Sequence, residues 1–134
     1  MPGADVLVMQ FCREDADCAV ASIAMYLAIP YNEVLRAVVA TDRKDEGRTG
    51  LTNEEMQKVA KRLGYNLRWY SAADPNFDPD ETYGILVVEE HACVLRNGLV
   101  IEVNGSVWEY DTYILNEGKE AYGVLVATNT VPRY

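Results

Sequence analysis

The chain holds one histidine, His91, and only three cysteines, Cys12, Cys18 and Cys93. Any mechanism that needs an imidazole therefore has a single candidate. An odd thiol count makes a poor disulfide framework; it points to a reduced compartment, with at least one thiol kept for reactivity or packing. Cys-x-x-Cys pairs are missing, so the common structural zinc set is not there and no metal or other cofactor is expected. Basic residues are scarce, 12 Lys and Arg against 21 Asp and Glu, for a net charge of −9. That balance argues against nucleic acid as a partner, because phosphate recognition rests on clustered positive charge. No run reaches the roughly 18 apolar residues of a membrane span. Met1 to Gln10 has neither the basic segment nor the long apolar core of a secretory signal. The expectation is an intracellular, cytoplasmic protein with no membrane partner.

What is present fits one compact domain, residues 1–134, large enough to bury about two-thirds of its unfolded surface. The first half reads as helical. Asp17 can cap a helix from Cys18 to Ala28, CAVASIAMYLA, which is apolar nearly all round and so buried on most sides. Pro30 ends it. Asn32 can cap a second helix with Val34, Leu35, Val38 and Val39 as its apolar stripe. After a polar loop, Thr52 and Glu55 form a capping-box pattern. The helix behind it places Met56, Val59, Ala60 and Leu63 on one face, and Gly64 stops it. The periodicity then changes. Asn66–Tyr70, Tyr83–Leu95 (one strand or two), Leu99–Asn104, Val107–Tyr113 and Tyr122–Ala127 read as extended, with a loop from Asp74 to Asp80. Asn97-Gly98 between two apolar runs is a strong hairpin signal. Helices first and antiparallel strands second predict an α+β domain, with the buried Cys18 helix packed on the sheet.

Cys18 and His91 are the residues in this pattern that can do chemistry. A thiol in the first turn of a helix meets the positive end of the dipole and unpaired backbone N–H groups, which favour the thiolate. Position alone does not separate this from a small core residue, since cysteine packs well as an inert hydrophobe. His91 adds weight. A two-residue turn at Asn97-Gly98 sets Arg96 opposite Leu99, Leu95 opposite Val100, Cys93 opposite Glu102 and His91 opposite Asn104. Asn104 could then accept a hydrogen bond from one ring nitrogen and leave the other for the thiol, giving nucleophile, base and orienter. Glu102 shares the face of Asn104 and is the second choice for that role. Gln10 is a candidate oxyanion donor beside the backbone N–H of Cys18, and equally a solvated polar residue. Cys12 and Cys93 are expected to be dispensable.

The order of Gln10, then Asp17-Cys18 opening an apolar helix (DCAVASIAMYLAIPYNEV, 17–34), then LTNEEMQKVAKRLGYNL (51–67) and the strand HACVLRNGLVIEVN (91–104), resembles papain-superfamily cysteine peptidases. It is most like the bacteriocin-processing peptidase domains of ABC exporters, which cut double-glycine leaders, and their small stand-alone relatives in bacteria and phages. The likeness covers most of the chain and thins after about Gly105. Ala19 stands where that group usually has glycine, and Gln10 lies slightly further from Cys18 than is usual. Asn104 is followed by Gly105, where the group often has an acidic residue followed by proline; asparagine in that role is papain's own choice. The exporter domains are fused to a transporter, so the leader-peptide substrate is not carried over.

The resemblance implies a papain-like fold and a cysteine hydrolase acting on a peptide or protein substrate through an acyl-thioenzyme, without a cofactor. Cys18 would be the nucleophile, His91 the base, Asn104 the orienter and Gln10 an oxyanion donor. Transfer to an amine, or deamidation, would use the same intermediate. A rival expectation is a catalytically silent papain-like domain that binds a peptide or protein, with Trp69, Tyr70, Trp108 and Tyr110 as a recognition surface. A small structural or inhibitory protein, encoded by a phage and with Cys18 as a core residue, belongs with that rival.

Overall fold

The computed structural model describes residues 18–41, 51–89, 91–118 and 120–128. Gln10, Cys12 and Asp17 lie outside them, so the oxyanion and capping expectations for Gln10 and Asp17 do too.

The first helix, α1 (Cys18–Leu27), is buried from Ala19 to Leu27. Its small and apolar side chains leave no polar face to turn outward, so the core surrounds it. It ends where Ala28 adopts φ +57°. The next helix, α2 (Tyr31–Ala40), starts directly after Pro30, not from an Asn32 cap. Proline has no N–H to leave unpaired and its φ is already helical; the Pro30 carbonyl accepts from the N–H groups of Glu33 and Val34. Tyr31, Val34, Ala37 and Val38 are buried, whereas Val39 of the expected stripe faces out.

A third helix, α3 (Asn53–Arg62), carries the capping box read from the sequence. Glu55 N–H donates to Thr52 Oγ1 at 3.1 Å, and Thr52 N–H donates to Glu55 Oε1 at 2.9 Å. Met56, Val59 and Ala60 are buried on its inner face. Gly64, at φ +97°, breaks it off as expected.

Six strands form one antiparallel sheet: β1 (Leu67–Ser71), β2 (Tyr83–Val88), β3 (His91–Arg96), β4 (Leu99–Ile101), β5 (Val107–Glu109) and β6 (Ala121–Ala127). Their spatial order is β1-β6-β2-β3-β4-β5. The expected extended run Tyr83–Leu95 is thus a hairpin of two strands, with Val88 opposite His91. Asn97 (φ +48°) and Gly98 (φ +86°) make the turn between β3 and β4. Both central residues have positive φ, which the Asn-Gly pair accommodates and which matches the twist of the strands. Arg96 faces Leu99 and Leu95 faces Val100, as the spacing predicts.

The register stops at Val94 opposite Ile101. The return strand was expected to reach Asn104, but Glu102 N–H bonds the Ser106 carbonyl and Gly105 N–H bonds the Glu102 carbonyl, closing a turn there. An Asn-Gly-Ser sequence serves such a turn better than a strand. The expected strand Val107–Tyr113 is also corrected. It is extended only to Glu109 and then becomes a helix, α4 (Tyr110–Glu117), ended by Gly118 at φ +62°. The helices are therefore not all ahead of the sheet.

Helices α1, α2 and α3 share a core with Leu67, Ile85, Ala92, Val94 and Leu125 on one face of the sheet. On the other face, Tyr113 of α4 packs with Leu86, Val88, Cys93, Leu95, Val100 and Val124. Tyr26 fixes α1 against the first face: its hydroxyl accepts from Ala127 N–H at 2.9 Å and donates to the Tyr83 carbonyl at 3.3 Å. On β6, beside the edge strand β1, a Cβ at Gly123 would meet the Tyr70 carbonyl and the Trp69 ring, so no larger residue fits there. Among the described residues no single helix is long and apolar enough to cross a membrane.

Candidate active site

Helix α1 begins at Cys18 and lies across β3, which begins at His91. The packing of one apolar helix on one strand thus sets the thiol beside the imidazole, close enough that each shifts the other's protonation. On the far side of the ring, His91 Nε2 lies 2.7 Å from Glu102 Oε1. That leaves Nδ1 as the ring nitrogen for the thiol, and assigns the tautomer by its surroundings. The second oxygen of Glu102 is also engaged: Tyr113 donates its hydroxyl to Oε2 at 2.9 Å. His91, Glu102 and Tyr113 form one chain of hydrogen bonds that ends at α4, with Cys18 of α1 beside its His91 end.

The orienting residue is Glu102, the second choice from the sequence, and not Asn104. The turn after Ile101 swings Asn104 away, and its Oδ1 accepts instead from the backbone N–H of Ser106 at 3.0 Å and the Ser106 hydroxyl at 2.8 Å. Asn104 is exposed and holds its own turn. Asn104→Ala should therefore leave the alkylation rate of Cys18 within about twofold of the unaltered chain, since surface changes away from a network usually matter little. A tenfold loss in peptide-mapped labelling would return Asn104 to the site.

The site is partly desolvated, with the side chains of His91 and Glu102 only 20 % and 13 % exposed. Charges here are screened less than at the surface. Burial disfavours the imidazolium, but hydrogen bonds to Cys18 and Glu102, together with their charges, outweigh it and raise the His91 pKa to about 9. Burial likewise works against the Cys18 thiolate. The hydrogen bond and charge of His91, with the backbone N–H groups of Ala92 and Ala19, win and hold the thiol below its ordinary value. Burial would raise the Glu102 carboxyl too; His91, then Tyr113 and the Val103 N–H, bring it below the usual carboxylate range. The three groups thus favour a thiolate, an imidazolium and a carboxylate in line.

No protein-family model matches the chain, and no curated protein matches it. The geometry above therefore carries the functional reading.

Two residues of the site escaped the sequence reading. Ala92 contributes only its N–H, which no side chain announces. Tyr113 was placed in a strand, although Tyr110, Tyr113 and Ile114 have the i, i+3, i+4 spacing of a helix face and Gly118 is a stop signal. Cys93 is fully buried beneath the site, its sulfur 4.0 Å from both the Leu86 carbonyl and the Tyr113 hydroxyl. His91, Cys93 and Glu102 bring potential metal donors within 4.8 Å of one another; His91 and Glu102 already bond each other, so this set is part of the same chain. The four aromatic residues of the silent-domain reading do not share a surface. Trp69 and Tyr70 lie on β1 and Trp108 on β5, at opposite edges of the sheet, and Tyr110 packs edge-on to Phe77 with centroids 6.1 Å apart.

Proposed function

We propose that this protein is a cysteine hydrolase of the papain-like class, cleaving a peptide or related amide bond through an acyl-thioenzyme. The observation that carries the reading is the Cys18–His91–Glu102 chain, with its thiol at a helix N-terminus and its carboxylate on the ring nitrogen remote from the thiol. The Cys18 thiolate attacks the carbonyl carbon, and the carbonyl electron pair moves onto oxygen. As the tetrahedral species collapses, the C–N bond breaks and the His91 imidazolium gives its proton to the leaving amine. A water then attacks the thioester while His91 takes its proton, the acid is released, and the thiolate–imidazolium pair is restored. Glu102 holds the ring in place throughout and stabilises its positive charge, as the third member of a triad does. The Cys18 backbone N–H, in the first turn of α1, is an oxyanion donor in this scheme.

The test needs no knowledge of the natural substrate. The full chain is mixed with p-nitrophenyl acetate and the intact mass is read within the first turnovers. A burst of nitrophenol with one acetyl group on Cys18 supports the reading. Slow background ester hydrolysis with no adduct, under conditions where the chain is folded, refutes it in favour of the silent peptide-binding domain.

A further inference from the structure

Glutamate is longer than the asparagine expected as the orienter, and its extra rotatable bond lets the carboxylate turn away from a histidine unless something holds it. Here both oxygens are held. Oε1 takes Nε2 of His91 at 2.7 Å and Oε2 takes the Tyr113 hydroxyl at 2.9 Å. Tyr113 reaches Glu102 from α4, while the nucleophile comes from α1 on the opposite face of the sheet. Its ring is 1 % exposed and packed among Leu86, Val88, Leu95 and Val100, so the hydroxyl has little freedom to move. An ionised carboxylate only accepts, so the hydroxyl proton is committed to Glu102; the Cys93 thiol, 4.0 Å away, can at most donate weakly to the phenol oxygen.

We propose that Tyr113 is a positioning residue for the reaction, clamping Glu102 so that its other oxygen stays on His91. The inference rests on the reading of Cys18, His91 and Glu102 as a catalytic set. The groups facing Glu102 are His91 and Cys93 of β3 and Tyr113 of α4, with Cys18 of α1 beyond the ring. Burial, with the neighbouring Cys93 and Glu102, pushes the Tyr113 phenol well above its ordinary value, so it keeps its proton over the working range.

The chain has one histidine, so its ring signals in an NMR titration need no assignment. Tyr113→Phe keeps the ring and removes only the clamp. The expected result is a fall in the His91 midpoint of about one pH unit, a tenfold change in the proton equilibrium, with a matching loss in Cys18 alkylation at mildly acidic pH. A merely electrostatic role would do the opposite, because Glu102 without its donor is more basic and would draw the midpoint upward. An upward or unchanged midpoint in Tyr113→Phe overturns the proposal and leaves the catalytic reading intact. An ordinary midpoint near 6.5 in the unaltered chain overturns the catalytic reading, and this proposal with it. In a Glu102→Gln background, Tyr113→Phe should change nothing further; an additional effect of equal size would show action by another route and overturn the clamp. Should Tyr113→Phe misfold, the unaltered chain supplies the test. The Tyr113 hydroxyl proton, if donated to Glu102, exchanges slowly enough to give a resolved NMR signal at pH 7, and its absence overturns the proposal.

Discussion

Serine in place of Cys18 should cost about four orders of magnitude or more in acyl transfer, the scale on which loss of a catalytic nucleophile is felt. The surroundings of position 18 are built to lower a thiol. A hydroxyl starts so much higher that the same helix N-terminus, imidazolium and N–H groups leave it protonated at neutral pH. The acyl burst and adduct are the measurements, and retention of either in Cys18→Ser would move the nucleophile elsewhere. A companion experiment uses the thiols themselves. Iodoacetamide at mildly acidic pH, read peptide by peptide, should modify Cys18 at least about tenfold faster than a free thiol such as glutathione, since the thiolate is the reacting form. Cys93, wholly enclosed in the core on the far face, should be modified only after unfolding. If Cys18 waits for denaturant as well, it is a packing residue and the hydrolase reading falls.

The second large effect is that of pH and of His91 itself. His91→Ala should slow Cys18 alkylation at pH 6 by about tenfold or more, because it removes the charge and hydrogen bond that chiefly offset the burial of the thiolate. The difference between variant and unaltered chain should shrink as the pH passes about 9, where the native imidazolium gives up its proton. A constant ratio from pH 6 to pH 10 would mean that the ring does not act as a charge. Folding stability follows the same protons. His91 binds its proton more tightly folded, at about 9, than unfolded, at about 6.5. Its contribution is complete below the unfolded value and disappears as the pH rises through 9. Glu102 and Cys18 act in the other direction: each is lowered in the folded chain, so each contribution is present above its unfolded value and lost as the pH falls.

The sequence disclosed the parts whose signals are local. Thr52 and Glu55 announce a helix start because both halves of the capping box lie within four residues. Asn97-Gly98 announces its turn because few other pairs accept two positive φ values. The apolar run from Ala19 to Leu27 announces a buried helix, and the catalytic candidates Cys18 and His91 follow from their places in those elements. What stayed hidden depends on distant partners. The hairpin register extends correctly from Asn97-Gly98 outward until Asn104 finds Ser106, a competing local bond that alternation does not anticipate. From there the assignment passes from Asn104 to Glu102. Helix α4 lacks a side-chain cap at Glu109, so nothing in the chain marks its start, and Tyr113 was placed in the wrong element. Without α4, the second anchor of Glu102 had no visible source.

The position of Cys18 at the junction of α1 and β3 has a consequence for the life of the chain before it is finished. The unfolded polypeptide carries Cys18 as an ordinary thiol, with no helix dipole, no ring and no Ala92 N–H beside it. His91 and Glu102 lie so far along the sequence that synthesis must pass both before either can meet the thiol. The lowered thiol pKa therefore arises only when α1 docks on the completed sheet, and thiolate formation becomes a readout of correct assembly.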